Sequence, residues 1–428
     1  VVKKPKLYDS AKKFRLLSYW LLGGYLLPFT IWQRLSVVTV MNWLREVMLP
    51  SANLFVVLGI LTWATLRLIC QSEWRLWHKL LVAATSIYAC VYGIDRLISS
   101  HVTHALDPVM VPTALVMGLA AASCCRSALD ICTVVSKLAI YQVICAVLQA
   151  FLGKHLLWSG SVARLGGTGG QPLLLYPIIL LALPLVFSIA SLQKVQWRQW
   201  MWHFWAILMC LALLFTWERG AVIAVTISGS WYCWALSRSK KSLVLAISVL
   251  VACCFFTFWI RSSGAKNHDS LARSNSGHVF VTRLGWDSFL RHPLTGVGAG
   301  QLALPVQVAH AGKERTIYYN ECENLPIQWL AEMGIGGGLL LVLFASCLYG
   351  ILAQSKDKLA IAISASWVGL LVAGFFDMPF GYDLRLPSTA LVGALIGASM
   401  MIRYVPVRAT SSLPFAVPSR QDAQPAFE

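Results

Sequence analysis

Apolar runs of roughly 17–25 residues, the length an α-helix needs to cross the hydrocarbon core of a bilayer, recur along almost the whole chain. Inside lipid a backbone has no water to bond, so a run of this kind must satisfy its own amides and carbonyls as a helix. A membrane β-barrel would instead show alternating segments of about ten residues, and the sequence lacks that period. Only 12% of the 428 residues are charged, about half the share found in soluble domains. The expected fold is therefore all-α: a polytopic membrane protein of about twelve transmembrane helices with one long outside loop. The spans centre on residues 16–32, 52–70, 80–94, 106–123, 131–152, 173–192, 200–216, 221–236, 243–260, 335–353, 359–376 and 387–402.

The basic residues orient these spans. With the amino terminus inside, the inside segments carry Lys3, Lys4, Lys6, Lys12, Lys13 and Arg15, then Arg75 and Lys79, Arg126, Lys194 and Arg198. Further on they carry Arg238, Lys240 and Lys241, then Lys356 and Lys358, and finally Arg403, Arg408 and Arg420. The short outside loops are poorer, so both termini are expected to be cytoplasmic. The formal charge of +17 is explained by those loops and by anionic headgroups, and no nucleic-acid partner is inferred from it. The chain divides into a basic cytoplasmic tail (1–15), helices one to nine (16–260), the long outside loop (261–324), helices ten to twelve (325–403) and a polar, proline-containing cytoplasmic tail without structure (404–428). No small-residue cleavage site follows the basic start, so the first span reads as retained. The twelve cysteines are scattered, mostly within apolar runs and without metal-ligand spacing, which suits small buried hydrophobes; no metal and no cofactor is expected.

In such a chain aqueous chemistry is confined to a few polar stretches. Residues 277–338 form the only long one, with Arg283, Arg291, His292, His310, Lys313, Arg315, Glu321 and Glu323 close together. Residues 279–291 have the pattern of an amphipathic helix, with Arg283 and Asp287 at i,i+4. His292-Pro293 should end it. Gly296-Val297-Gly298-Ala299-Gly300 then allows a tight bend with exposed backbone N–H groups. Glu323 and Asn324 precede Leu325-Pro326 at the start of another helix, where Glu323 is either a reactive carboxylate or a cap on the helix dipole. Two shorter outside features join this segment. Thr216-Trp217-Glu218-Arg219-Gly220 is a turn between spans, and a pair of charges reaching water explains it equally well. Arg164-Leu165-Gly166-Gly167-Thr168-Gly169-Gly170-Gln171-Pro172 is a glycine-rich loop that can cradle an anion or simply connect.

These residues together resemble the O-antigen ligase and polymerase superfamily of bacterial inner-membrane glycosyltransferases. The resemblance is carried by Arg283, Trp286, Phe289, His292-Pro293, Gly296, Gly298 and Gly300, then Asn324, Gln328, Glu332, Gly334 and Gly336, with the Glu218-Arg219-Gly220-Ala221 turn and Gly169-Gly170-Gln171-Pro172. It implies an enzyme on the periplasmic face that moves an oligo- or polysaccharide from undecaprenyl pyrophosphate to an acceptor, without metal or nucleotide. Lipid A-core is the first-ranked acceptor. A growing lipid-linked repeat (polymerase) or a protein hydroxyl (oligosaccharyltransferase) is the alternative within the superfamily, and a twelve-span transporter the alternative outside it. The resemblance implies catalytic roles for Arg219 and Arg283. Many members carry His where this chain has Glu323, so Glu323 is expected as a base toward the acceptor, with His310 as its alternative. Arg164, Gln171, Arg291, Asn324 and Gln328 are expected to bind substrate. Pyrophosphate leaving from a glycan develops negative charge, which the planar, permanently charged guanidinium is suited to stabilise.

Overall fold

A computed structural model describes residues 50–402 apart from 72–73, 99–106, 153–157, 160–161, 164, 166–171, 217, 300, 311–312, 320, 353–356, 380–385 and most of 238–267; residues 18, 19 and 22 are also described. In chain order the helices are α1 (Pro50–Ile69), α2 (Leu76–Ile98), α3 (Asp107–Ser123), α4 (Ala128–Leu152), α5 (Pro172–Leu192), α6 (Gln196–Leu214), α7 (Arg219–Ser237), α8 (His268–Arg291), α9 (Leu325–Leu352), α10 (Lys358–Gly374) and α11 (Leu386–Met400). The predicted spans at 16–32 and 243–260 and the 404–428 tail fall largely or wholly outside the described residues. Every other predicted span coincides with one of these helices. Among the described residues four helical stretches are long and apolar enough to cross a membrane, Ala128–Leu148, Leu175–Leu192, Arg219–Ser237 and Leu325–Leu352, and five others are shorter apolar helices. The chain is thus a helical membrane protein in which four of the expected crossings are full-length by this measure.

Helix α5 is apolar on all sides, and it lies at the centre, touching α4, α6, α7, α10 and α11. Small residues and hydroxyls let its neighbours approach. Ser366 on α10 donates to the Leu181 carbonyl of α5 (2.7 Å), and Ser228 on α7 donates to the Ala365 carbonyl of α10 (2.7 Å). Without a hydrophobic driving force between helices in lipid, such close contacts and inter-helix hydrogen bonds carry the association.

Strand structure departs from the all-α expectation. A two-residue ribbon joins β1 (Trp158–Ser159) to β2 (Val162–Ala163). A longer antiparallel hairpin, β3 (Leu304–His310) with β4 (Lys313–Tyr319), occupies the middle of the long loop, in register from Leu304↔Tyr319 to His310↔Lys313.

The loop is latched into α9 where that helix is broken. Gly334 has φ 62 and ψ −152, a region open essentially to glycine alone. The break frees carbonyls that would otherwise accept from the next turn. Ala331 and Glu332 accept instead from the amides of Val297 and Gly298 (2.9 Å each), while the Ile335 amide donates to the Pro293 carbonyl (2.8 Å). The fit is mutual. Gly296 has φ 68, its missing side chain would strike the Glu332 carbonyl, and a side chain on Gly334 would strike the Leu294 carbonyl. The amides of Val297 and Gly298 are therefore not exposed, contrary to the expectation from sequence: they hold the loop against the helix.

Candidate functional site

The start of α9 is built by the residues just before it. Asn324 is the cap: its Oδ1 accepts from the Ile327 amide (3.1 Å), as a side-chain oxygen at this position does for the third helical residue. Its Nδ2 donates to the Phe375 carbonyl at the end of α10 (2.9 Å). Cys322 lies under α8. Its carbonyl accepts from Thr282 Oγ1 (3.0 Å), its amide donates to Gln328 Oε1 (2.8 Å), and its sulfur occupies the space that a side chain on Gly285 would need. His278, Thr282 and Gly285 stand at i, i+4 and i+7, one stripe of α8. Burial pushes the Cys322 thiol up, which suits a packing role.

Between Cys322 and Asn324, Glu323 has φ 54, the one positive value outside glycine among the described residues. Its Oε2 meets Nδ1 of His278 in an ion-pair contact, with both side chains partly exposed. The hydrogen bond that His278 donates to Glu323 holds the imidazole above its ordinary pKa of 6.5, against desolvation by burial, and the charges of Glu323, Asp377 and Glu218 add to the rise. That coupling brings two further elements to the site. Glu218 belongs to the turn between α6 and α7, next to Arg219 at the start of α7. Asp377 follows α10, buried, where its carboxylate accepts from Tyr176 OH on α5 (2.9 Å) and from the Met378 amide (2.6 Å). Gly220 packs so closely on Phe376 that a side chain there would overlap it. The Leu165 amide, within the glycine-rich loop, donates to the Phe215 carbonyl at the end of α6 (3.2 Å). Ends of α5, α6, α7, α9 and α10 and the stripe of α8 therefore meet in one place.

The residues singled out from sequence divide accordingly. Glu323 lies in this cluster, and Arg219 begins α7 between Glu218 and Gly220. Arg283 is exposed on α8, five residues past His278, about 7.5 Å further along the axis. It lies on the side where Val279, Trp286 and Leu290 are exposed. Among the described residues no ion pair joins Arg283 to Asp287, so the i,i+4 pairing expected from spacing does not account for it. Asn324 and Gln328 have structural partners: Asn324 caps and tethers, and Gln328 is fully buried, bonded also to Glu332. Arg291 is exposed in the last turn of α8, where a cation suits the helix dipole. His310 ends β3, paired in register with Lys313 at the tip of the hairpin. Arg164 and Gln171 lie outside the described residues. His278 and Asp377 were missed. For Asp377 the signal was a carboxylate placed where the apolar α10 run ends. For His278 it was the position four residues before Thr282 on the same stripe.

Beside the latch, a cavity of about 400 Å³ lies between α2 and α9. Its wall is mostly apolar, from Ile87, Val91, Met333, Leu339 and Leu343, with Glu332 and Gly298 at the latch.

An O-antigen ligase family model matches residues 204–342, about a third of the chain, from within α6 to within α9. The matched region contains Arg219, His278, Arg283, the latch and Glu323. The superfamily resemblance read from the sequence is thereby borne out. It implies an enzyme of the glycosyltransferase type, handling a glycan donor and an acceptor in a membrane. No curated protein matches the chain.

Proposed function

Since residues 204–342 are of O-antigen ligase type, we propose that this chain is a bacterial inner-membrane glycosyltransferase. It moves a glycan from undecaprenyl pyrophosphate to lipid A-core on the periplasmic face. The observation that carries the reading is the convergence of the Glu218-Arg219 turn, α8 and Glu323 at the start of α9. Segments far apart in sequence, each singled out by the superfamily pattern, meet over a polar cluster in a chain with few polar places. Arg219 and Arg283 bind the pyrophosphate of the donor. Their forked donors match phosphate oxygens and stay charged at any working pH, so they stabilise the charge that develops as the leaving group departs. No metal or nucleotide is needed for that role. The apolar cavity between α2 and α9 suits the polyprenyl tail, because it lies beside the latch and is walled by aliphatic side chains. The Lys and Arg asymmetry puts both termini in the cytoplasm and residues 261–324 in the periplasm.

Deletion of the gene in its host, with electrophoresis of lipopolysaccharide and of lipid-linked glycan, tests the reading. Loss of all glycan on lipid A-core, with the lipid-linked polymer retained, is the expected result. A cap of one repeat on lipid A-core would make the chain a polymerase of the same superfamily and overturn the acceptor assignment. Unchanged banding of both pools would overturn glycosyl transfer in this pathway.

A further inference from the structure

Pyrophosphate binding gives no work to the His278–Glu323 pair. Helix capping does not explain it either, because Asn324 is the cap. Yet Glu323 is held in a left-handed backbone conformation that a residue with a side chain rarely adopts, and its carboxylate is turned onto His278 Nδ1. A backbone outlier of this kind is a pointer to function when the surrounding structure enforces it. Here the enforcement comes from the Cys322 contacts on one side and the Asn324 cap on the other.

A carboxylate on Nδ1 fixes the tautomer of an imidazole and leaves Nε2 as the proton acceptor. The groups around the pair point to what that nitrogen meets. Glu323 touches Nδ1 from the start of α9, and the charges of Asp377 after α10 and of Glu218 in the α6–α7 turn act on the imidazole from further off. Arg219 begins α7 beside Glu218, and Arg283 is on the helix of His278 itself. Carboxylates around an imidazole disfavour a pyrophosphate there and tolerate a neutral hydroxyl, so the acceptor is assigned to His278 and the donor to the arginines.

We propose that His278 is the general base of the transfer and that Glu323 is its positioning residue. Nε2 takes the proton of the acceptor hydroxyl as that oxygen bonds to the anomeric carbon of the transferred glycan. The anomeric carbon–oxygen bond to pyrophosphate breaks, and its electron pair leaves with the lipid pyrophosphate. Glu323 stays ionised and stabilises the imidazolium. This assignment rests on the glycosyl-transfer reading above, and it moves the base from Glu323, where the sequence suggested it, to the imidazole that Glu323 holds.

The test is transfer by the purified full-length protein from a polyprenyl-pyrophosphate glycan to lipid A-core, over about pH 5 to 9, where an imidazole titrates. A base must be deprotonated, so the wild-type rate is lost as pH falls through the raised pKa of His278. His278→Gln should lower kcat by about 10²- to 10⁴-fold with the donor KM unchanged, and should lose that acid limb. Glu323→Gln should move the limb to lower pH and lower the plateau. Wild-type kcat in His278→Gln, or an unmoved limb in Glu323→Gln, overturns the proposal. If one variant does not fold, the other decides. Loss of transfer in Arg219→Ala and Arg283→Ala with full transfer in His278→Gln refutes the base alone. Absence of transfer by the wild type, under conditions where lipid-linked donor and acceptor are both present, refutes the parent reading with it.

Discussion

Replacing Gly334 with Ala tests the latch between the long loop and α9. At φ 62 and ψ −152 an alanine is in a region that costs about 1–3 kcal/mol. Its methyl group also overlaps the Leu294 carbonyl, so the loop must withdraw. Withdrawal breaks the bonds from Val297 to Ala331, Gly298 to Glu332 and Ile335 to Pro293, each contributing about 0.5–1.5 kcal/mol net. The opposing gain is helix propensity, about 1 kcal/mol for Ala over Gly. The balance is a loss of about 1.5–6.5 kcal/mol from the strain and bond terms less the propensity gain. Thermal unfolding of the detergent-purified protein, followed by tryptophan fluorescence, measures it. Gly336→Ala is the control, because a side chain there meets nothing within 4 Å; it should be neutral or stabilising by up to about 1 kcal/mol. Equal melting of the two variants would refute the latch, since the same substitution two residues apart would then have the same effect.

Gly285→Ala should cost about 1–3 kcal/mol by overpacking against Cys322, and Cys322→Ala in the same chain should restore part of it; additive melting shifts in the double-mutant cycle would contradict the seam. The His278–Glu323 pair should stabilise the fold fully below the ordinary imidazole pKa of 6.5 and lose that contribution as pH rises through the raised pKa of His278. His278→Gln should flatten the melting profile in that window, and a profile identical to wild type would contradict the pairing. Cysteine introduced at Ser274 should react with an impermeant reagent from the periplasmic side, and cysteine at Ser239 should not; the reverse pattern would invert the orientation.

The helices were legible because lipid leaves a spanning chain no other way to satisfy its backbone. Thus 131–152, 173–192 and 359–376 were found within a few residues as α4, α5 and α10. The end of α8 at Arg291 was legible from His292-Pro293. The β3–β4 hairpin was not anticipated: between Leu304, Val306 and Val308 only Gln307 is polar, so the strand shows no clean alternation, and the segment was read only as a polar spacer. The glycines of the long loop and of α9 were legible as a pattern but not as a mechanism. Gly296 read as part of a tight bend and Gly334 only as part of the superfamily pattern, and tertiary packing shows that each makes room for the backbone next to the other. In the site, Arg219 and Glu323 were legible from the superfamily pattern, and the family match weighs against the transporter alternative. Asn324 and Gln328 fitted the same pattern, yet they cap and brace α9. His278 and Asp377 belong to the site through tertiary packing, which joins α8, α9 and α10 across long stretches of sequence and leaves little local trace.

The central claim is that Arg219 and Arg283 act together on the pyrophosphate of a lipid-linked donor. Its most direct measurement is initial-rate transfer of glycan to lipid A-core by purified wild type, Arg219→Ala, Arg283→Ala and Arg283→Lys, each confirmed as folded by its melting curve. The account predicts product from the wild type, loss of transfer in both alanine variants and poor rescue by lysine, whose point charge does not reproduce the planar fork. Wild-type rates in either alanine variant would contradict it.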